Sequence, residues 1–325
     1  MAGKPKILIC EDVTGAGIDR LKQKYEIGFD PDLWKKIPEL EEKLPGTQGL
    51  IVRNQTRVDA SLLSKAQGLR VIGRAGAGYD NIDVAAASRQ GIVVAYSPEE
   101  NAVSVAEQVF ALLLALARKI PGAERSTRGG GWERKKYHGV ELMGKTLGIL
   151  GLGKIGFRVA LRAGAFGMRV LAHDVYLSPT SLQVTESGAA LVSMHDLLAG
   201  SDFISVHLPL TAETQGMLNR GTFEKMKPTA FLINTSRGEV LVEEDLVEAL
   251  TLGRLAGAAL DVRAKEPPPA DDPLNKLENV ILTPHTAGLT VEAQEKVVAA
   301  VAEDVDRVLS GQPALRFVNF AIPKK

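Results

Sequence analysis

Residues 145–174, KTLGILGLGKIGFRVALRAGAFGMRVLAHD, constrain this chain more than any other stretch. An apolar run at 146–150 reads as a buried strand and passes directly into Gly151-Leu-Gly153-Lys-Ile-Gly156. A helical pattern follows, with Val159, Ala160 and Ala163 on one face. A second strand at 168–172 then ends on His173-Asp174. In such a unit the first glycine permits a tight turn and the second lets a pyrophosphate approach the backbone. The third lets the helix pack closely on the sheet. The helix N-terminus offers N–H groups and the positive end of its dipole to phosphates. A lone GxGxxG often only turns the chain, but this one has a strand before it, a helix after it and an acid at the next strand end. Asp174 can accept hydrogen bonds from an adenosine ribose, and it would repel a ribose 2′-phosphate by about 4 kcal/mol at 4 Å in a surface-like dielectric. No arginine follows at Val175-Tyr176 to offset that. The stretch predicts a dinucleotide site that prefers NAD to NADP.

A chain of 325 residues has room for two domains with cores of their own. Lys+Arg and Asp+Glu balance at 39 each, so no net field draws the protein to nucleic acid or an anionic membrane. The single cysteine, Cys10, lies in the apolar run Ile7-Leu-Ile-Cys10 and reads as a buried strand residue in a reducing compartment. The N-terminal apolar run is too short for a signal peptide, and the longest one, 109–117, is too short to span a bilayer. These features predict a cytoplasmic protein with a small-molecule substrate and neither nucleic-acid nor membrane partners.

Before residue 100, short β-like runs at 6–10, 27–29, 49–52, 71–72 and 92–95 alternate with helical spacing at 14–24, 37–44, 59–66 and 83–89. That alternation implies a parallel sheet covered on both faces. A long apolar pattern at 102–120 predicts one helix buried on every side, closed by Pro121-Gly122 and followed by a polar Gly-rich loop at 128–137. After the glycine motif, strands are expected at 203–206, 230–234, 256–260 and 280–282, with helical runs at 193–198, 221–226 and 242–250. This makes six strands in the second set. Residues 291–309 form one amphipathic pattern, and 312–325 read as a tail. The expected organisation is a discontinuous first domain, 1–99 with 290–325, around a nucleotide-binding domain, 100–289.

Three late strand ends carry unusual polar groups: Asn234-Thr-Ser-Arg237-Gly238, Asp261-Val-Arg-Ala-Lys-Glu266-Pro, and Thr283-Pro-His285-Thr-Ala-Gly288. Ligands in doubly wound folds sit beyond the carboxyl ends of the strands, so all three ends should face one crevice. Hydride transfer from an alcohol needs a base for the hydroxyl proton, and a histidine suits that near neutral pH. Glu266 could fix the tautomer of His285, and Arg237 could grip a substrate carboxylate bidentately. Singly, each of the three also fits a solvated loop. Together, beside the glycine motif, they point to catalysis. His207, before Leu208-Pro209 at a strand end, would flank the adenine side, while His138, His173 and His195 lack ligand-like spacing with one another, and no metal is expected.

These stretches (GLGKIG, NTSRGEVLVEEDL, GAALDV with KEPPP, LTPHTAG) together with VIGRAGAGYDNID and SPEENAVSVAEQ resemble the D-isomer-specific 2-hydroxyacid dehydrogenase family over nearly the whole chain. The resemblance implies an α/β protein of two doubly wound parallel-sheet domains, a Rossmann nucleotide-binding domain and a flavodoxin-like substrate domain joined at a hinge. It also implies a homodimer formed through the nucleotide domain. Arg237 would bind the substrate carboxylate, Glu266 would partner the histidine, and His285 would be the acid/base. Cofactor contacts would fall on Gly151, Gly153, Lys154, Ile155, Gly156, Asp174, Leu208-Pro209, Thr235, Asp261 and Gly288. The backbone at Ala75-Gly76 would receive the carboxylate, with Arg53, Arg74 and Asn101 lining the domain cleft.

The longer matches favour a phosphorylated substrate, and a buried phosphate dianion needs cations besides Arg237. Arg53 and Arg74 follow first-domain strands. Arg134, Lys135 and Lys136 either add charge from a neighbouring subunit or form a solvated loop. Residues 286–325 suffice for a helix and a tail, and feedback control through a serine-binding regulatory domain of the kind some members carry is not expected. The same length suits glyoxylate and hydroxypyruvate reductases. The fold also serves a NAD-binding corepressor, a role the intact trio disfavours.

Overall fold

A computed structural model describes residues 4–323. The chain divides into two compact units: one takes in residues up to Asn101 and again from Leu289 on, the other Ala102–Gly288.

The first unit holds five parallel strands, β1 (Lys6–Ile9), β2 (Glu26–Phe29), β3 (Thr47–Val52), β4 (Val71–Arg74) and β5 (Val93–Tyr96). Their order is β2-β1-β3-β4-β5, a flavodoxin-like arrangement that reverses direction between β1 and β3. The inner strands are buried on both faces, which is why they read as unbroken apolar runs rather than alternating ones. One face is covered by the helix Val291–Leu309, capped at its start by the Thr290 side chain accepting from the Ala293 N–H. A glycine lets it settle on the sheet. A Cβ at Gly73 would lie 2.7 Å from Val301 Cγ1 and 2.8 Å from Val305 Cγ2. The resulting core joins Ile7, Ile9, Ile51, Val71 and Val93 to Val297, Val301, Val305 and Val308.

The second unit holds seven parallel strands, β6 (Thr146–Leu150), β7 (Arg169–His173), β8 (Ala190–Leu191), β9 (Phe203–Val206), β10 (Phe231–Asn234), β11 (Gly257–Leu260) and β12 (Val280–Leu282). Their order, β12-β11-β10-β9-β6-β7-β8, is that of a Rossmann sheet with an added strand at one edge, and it reverses between β6 and β9. Phe203 and Phe231 stack across β9 and β10, their ring centroids 5.3 Å apart.

Five sequence expectations need correction. The sheet has seven strands rather than six, because the two-residue β8 pairs with β7 through too short a run to show a period. A helix at Leu182–Ser187 precedes it where the sequence suggested none. The 102–120 helix ends at Ala117. Lys119 takes a left-handed φ of 51°, and Pro121 sits in the first turn of a new helix, Ile120–Arg128, instead of closing the old one. Nor is the first helix buried on every side within this chain: Val103, Glu107 and Ala111, spaced at i, i+4 and i+8, form an exposed stripe. The 312–325 tail, whose last two residues lie outside the described residues, packs on the first unit. Val318 N–H donates to the Val94 carbonyl, and the Asn319 side chain binds Val94 N–H and the Ile92 carbonyl.

Candidate active site

At the reversal point of the second unit, Gly151 takes φ +89° and turns the chain off β6. A side chain there would strike the His207 carbonyl oxygen 2.8 Å away, so the turn packs directly under the segment leaving β9. A Cβ at Gly153 would meet nothing within 4 Å, which leaves its outer side open to a ligand. One at Gly156 would collide with the Gly151 carbonyl. The helix Lys154–Ala165 starts here without a side-chain cap, although its first turn has no intrahelical acceptors for its N–H groups. Asp174, just past β7, accepts from Leu152 N–H and Tyr176 N–H, each at 2.9 Å, which ties the second strand end to the glycine loop. Beyond β10, the Thr235 hydroxyl oxygen is buried without a hydrogen-bond partner. An open glycine, an uncapped helix start, a carboxylate fixed at the end of β7 and an orphaned hydroxyl fit a dinucleotide such as NAD. Ile155 packs against the core behind the loop, and Leu208 packs against the neighbouring core beside Pro209.

The ends of β10, β11 and β12 lie side by side in the sheet. Asn234, fully buried at the end of β10, donates to the Arg237 carbonyl at 2.9 Å and accepts from the Ser236 N–H and hydroxyl. This side chain shapes the turn that carries Arg237, whose Nη1 donates to the Ser236 carbonyl. Beyond β12, His285 has a left-handed φ of 55° and donates its N–H to the Asp261 carbonyl at 2.7 Å. Its Nδ1 lies 2.8 Å from Glu266 Oε2, while Glu266 Oε1 accepts from Arg263 N–H at 3.1 Å. Burial would raise the Glu266 carboxyl, but the hydrogen bond and charge of His285, the Arg263 amide and the nearby Arg237 outweigh it and hold it below the usual range. An ionised Glu266 can only accept, so in the neutral form of His285 the proton sits on Nδ1 and the lone pair on Nε2. Asp261, 1% exposed, has both carboxylate oxygens engaged by Thr283, Thr286 and Ala287. Gly288 closes the same loop.

In the first unit, β1 and β3 diverge at its own reversal point, and the polar residues gather there. Glu11, 2% exposed, accepts from the N–H groups of Arg53, Gln55 and Thr56 and from the Thr56 hydroxyl. Arg53 is partly buried, and Nη1 donates to the Asp12 carbonyl. Arg74 is 8% exposed, its guanidinium lies against Gly76, and the φ of +147° at Gly76 favours glycine. The Ala75 N–H donates to the Val52 carbonyl and the Gly76 N–H to the Arg74 carbonyl. Asn101 Oδ1 is buried without a partner. Arg134, Lys135 and Lys136 are exposed, and Lys136 lies 5.7 Å above the Tyr137 ring.

Sequence reasoning missed Glu11, Glu243, Arg263 and Asp272, whose partners lie too far along the chain for any local spacing to reveal. The pair Ser205–His207 was also missed. The hydroxyl lies 2.8 Å from Nε2, and burial pushes the imidazole down to about 3 although the residue keeps some exposed surface. Cys10 is fully buried, and burial pushes its thiol up, which makes it inert. Among the described residues no cluster of metal-ligating side chains occurs and no helix is long and apolar enough to cross a membrane.

Residues 110–287 match the family model described as D-isomer specific 2-hydroxyacid dehydrogenase, NAD binding domain. The D-3-phosphoglycerate dehydrogenase of Archaeoglobus fulgidus is 45% identical over 314 residues, which cover 97% of this chain and 59% of that protein. That of Methanocaldococcus jannaschii is 43% identical over 316 residues, with the same two shares. The chain thus spans about three-fifths of the length of these curated relatives. Among solved structures, a glyoxylate reductase from Paecilomyes thermophila superposes with a TM-score of 0.88 at 30% identity, covering 98% of this chain and 99% of that one. An NADPH-dependent glyoxylate/hydroxypyruvate reductase from Sinorhizobium meliloti gives 0.88 at 28% identity, covering 99% of each. With its fold, its nucleotide loop and these matches in agreement, the chain belongs to the D-isomer specific 2-hydroxyacid dehydrogenase family.

Proposed function

We propose that this protein is an NAD-dependent dehydrogenase that oxidises D-3-phosphoglycerate to its 2-oxo acid, the reaction that opens serine synthesis. The observation that carries the chemistry is the His285–Glu266 pair at 2.8 Å, with the glutamate held ionised. Bound NAD would supply the hydride acceptor. His285 Nε2 takes the hydroxyl proton as the C2–H bond breaks, and the Glu266 carboxylate stabilises the imidazolium that results. Arg237 holds the substrate carboxylate, which keeps the C2–H bond in place for transfer. Lys154, Ile155, Asp174, Leu208, Pro209, Thr235 and Gly288 would contact the cofactor. Asp261 acts there through the loop it ties.

The choice of a phosphorylated acid rests on the names of the curated relatives and on two arginines of the first unit, Arg53 and Arg74, with Asn101 as a further contact. An anion at Ala75-Gly76 would compete with carbonyls that already take those amides. We further propose a homodimer formed through the second unit, where Ile120, Trp132 and Met143 are 51%, 78% and 76% exposed. A second substrate reading, glyoxylate or hydroxypyruvate reduction, is favoured by one observation. Two solved reductases, one of glyoxylate and one of glyoxylate and hydroxypyruvate, superpose on this chain with a TM-score of 0.88 each.

The test is NADH formation from NAD with D-3-phosphoglycerate, with D-glycerate and D-lactate as controls, in the parent and in His285→Ala. The parent should prefer the phosphorylated acid strongly, and the variant should lose at least about 100-fold in kcat with NADH binding intact. Turnover only as reduction of glyoxylate or hydroxypyruvate would move the protein to the reductase branch. An unimpaired His285→Ala would end the acid/base assignment.

A further inference from the structure

Glu266 sits in an irregular segment between β11 and the turn at Pro273, and such a segment has no ladder of its own to fix a side chain. Its two ends are nevertheless locked. Arg263, whose side chain is 6% exposed, grips Glu243 bidentately, Nε to Oε1 at 3.0 Å and Nη2 to Oε2 at 2.9 Å. The same Nη2 donates to Asp272 Oδ2 at 2.7 Å, which closes the 263–272 segment on itself. Both carboxylates have second tasks. Glu243 Oε1 also accepts from Ala264 N–H at 2.9 Å, and Asp272 Oδ1 caps the next turn by accepting from Leu274 N–H. Glu243 opens the helix Glu243–Thr251, so the segment is moored to a rigid element. Within the closed loop, Pro267, Pro268 and Pro269 remove backbone freedom directly after Glu266. A side chain at Gly238 would collide with the Arg263–Ala264 peptide, so the turn behind Arg237 rests on that same peptide.

We propose that Arg263, with Glu243 and Asp272, is a set of positioning residues that holds Glu266 against His285 and braces the Arg237 turn. The proposal rests on the reading of Glu266 as the partner of an acid/base His285. A bidentate guanidinium between two carboxylates fixes direction as well as distance, and a displacement of about 1 Å in a catalytic group can cost 100-fold in rate. The charged groups around Glu266 are His285 and Arg237; those around Arg263 are Glu243 and Asp272.

The experiment compares Glu243→Gln, Asp272→Asn and Glu266→Gln with the double variant Glu243→Gln/Glu266→Gln in the full chain. The substrate is D-3-phosphoglycerate with NAD or, for the reductase reading, hydroxypyruvate with NADH. Glu243→Gln should lower kcat by about 10-fold, leave the NADH dissociation constant unchanged and move the pH–rate profile in the same direction as Glu266→Gln. The double variant should lose little beyond Glu266→Gln alone. A parental kcat and pH profile in Glu243→Gln, with only a lower melting temperature, would reduce the cluster to a structural one. Losses that multiply in the double variant would do the same. Asp272→Asn, with the same expected outcome, decides the matter if Glu243→Gln does not fold. A harmful Glu266→Gln beside a harmless Glu243→Gln overturns the clamp alone, whereas a harmless Glu266→Gln overturns the reading beneath it as well.

Discussion

Asp261→Asn is a small change that should have a large effect. In the native protein Oδ1 accepts from the Thr283 hydroxyl at 2.5 Å and the Thr286 N–H at 2.9 Å, while Oδ2 accepts from the Ala287 N–H at 2.8 Å. Asparagine offers one acceptor. If it keeps the two threonines, its amide hydrogens face the Ala287 N–H, donor to donor, at a residue only 4% exposed. One bond to a charged acceptor is lost, roughly 1.5–3 kcal/mol, and the stranded amide adds a desolvation cost that partly overlaps it, so the loss should be about 3 kcal/mol. For a unit of this size each kcal/mol shifts the melting temperature by about 2–4 °C, giving a fall of about 6–12 °C. Differential scanning calorimetry with and without NADH measures it, because the transition that NADH raises reports the nucleotide-binding unit. Turnover should fall with it, since the same loop holds His285 at its left-handed φ. A melting temperature within about 1 °C of the parent would refute the view that Asp261 anchors the loop.

Two further expectations concern charge. His207 is held neutral in the fold, its imidazole at about 3, whereas the unfolded chain takes up that proton below the ordinary 6.5. Stability should therefore fall as pH drops from 6.5 toward 3, by up to about 1.4 kcal/mol per pH unit, and urea titrations of His207→Gln should show a flatter dependence. Equal slopes in the two proteins would contradict the burial argument. Asp174→Asn removes the charge that would face a 2′-phosphate, so the ratio of kcat/KM with NADP to that with NAD should rise by at least about 10-fold. A ratio that does not move would assign the preference to something other than this carboxylate.

The fold was legible wherever apolar period and length agreed. Thr146–Leu150, Phe203–Val206, Val280–Leu282 and Val291–Leu309 lie where the sequence put them, because both faces of those strands, or one stripe of that helix, meet a core. Lys119 was not legible, since its backbone is set by how two helices meet and not by its own preference. Nor was β8, two residues long and held by its neighbour. At the site, Arg237, Glu266 and His285 could be picked out because unusual polar residues ended three apolar strands. The supports behind them could not. Arg263 reads as one more loop charge until the fold brings Glu243 to it.

The helix Val291–Leu309 is the last regular element of the chain, yet it completes the core that Ile9, Ile51, Val71 and Val93 begin. During synthesis those side chains leave the ribosome long before their cover exists. Residues 102–288, which form the other unit entire, emerge in between and can fold while the first sheet still waits. Closure of the first core therefore has to await residues 291–309, whereas the second unit needs nothing made after residue 288.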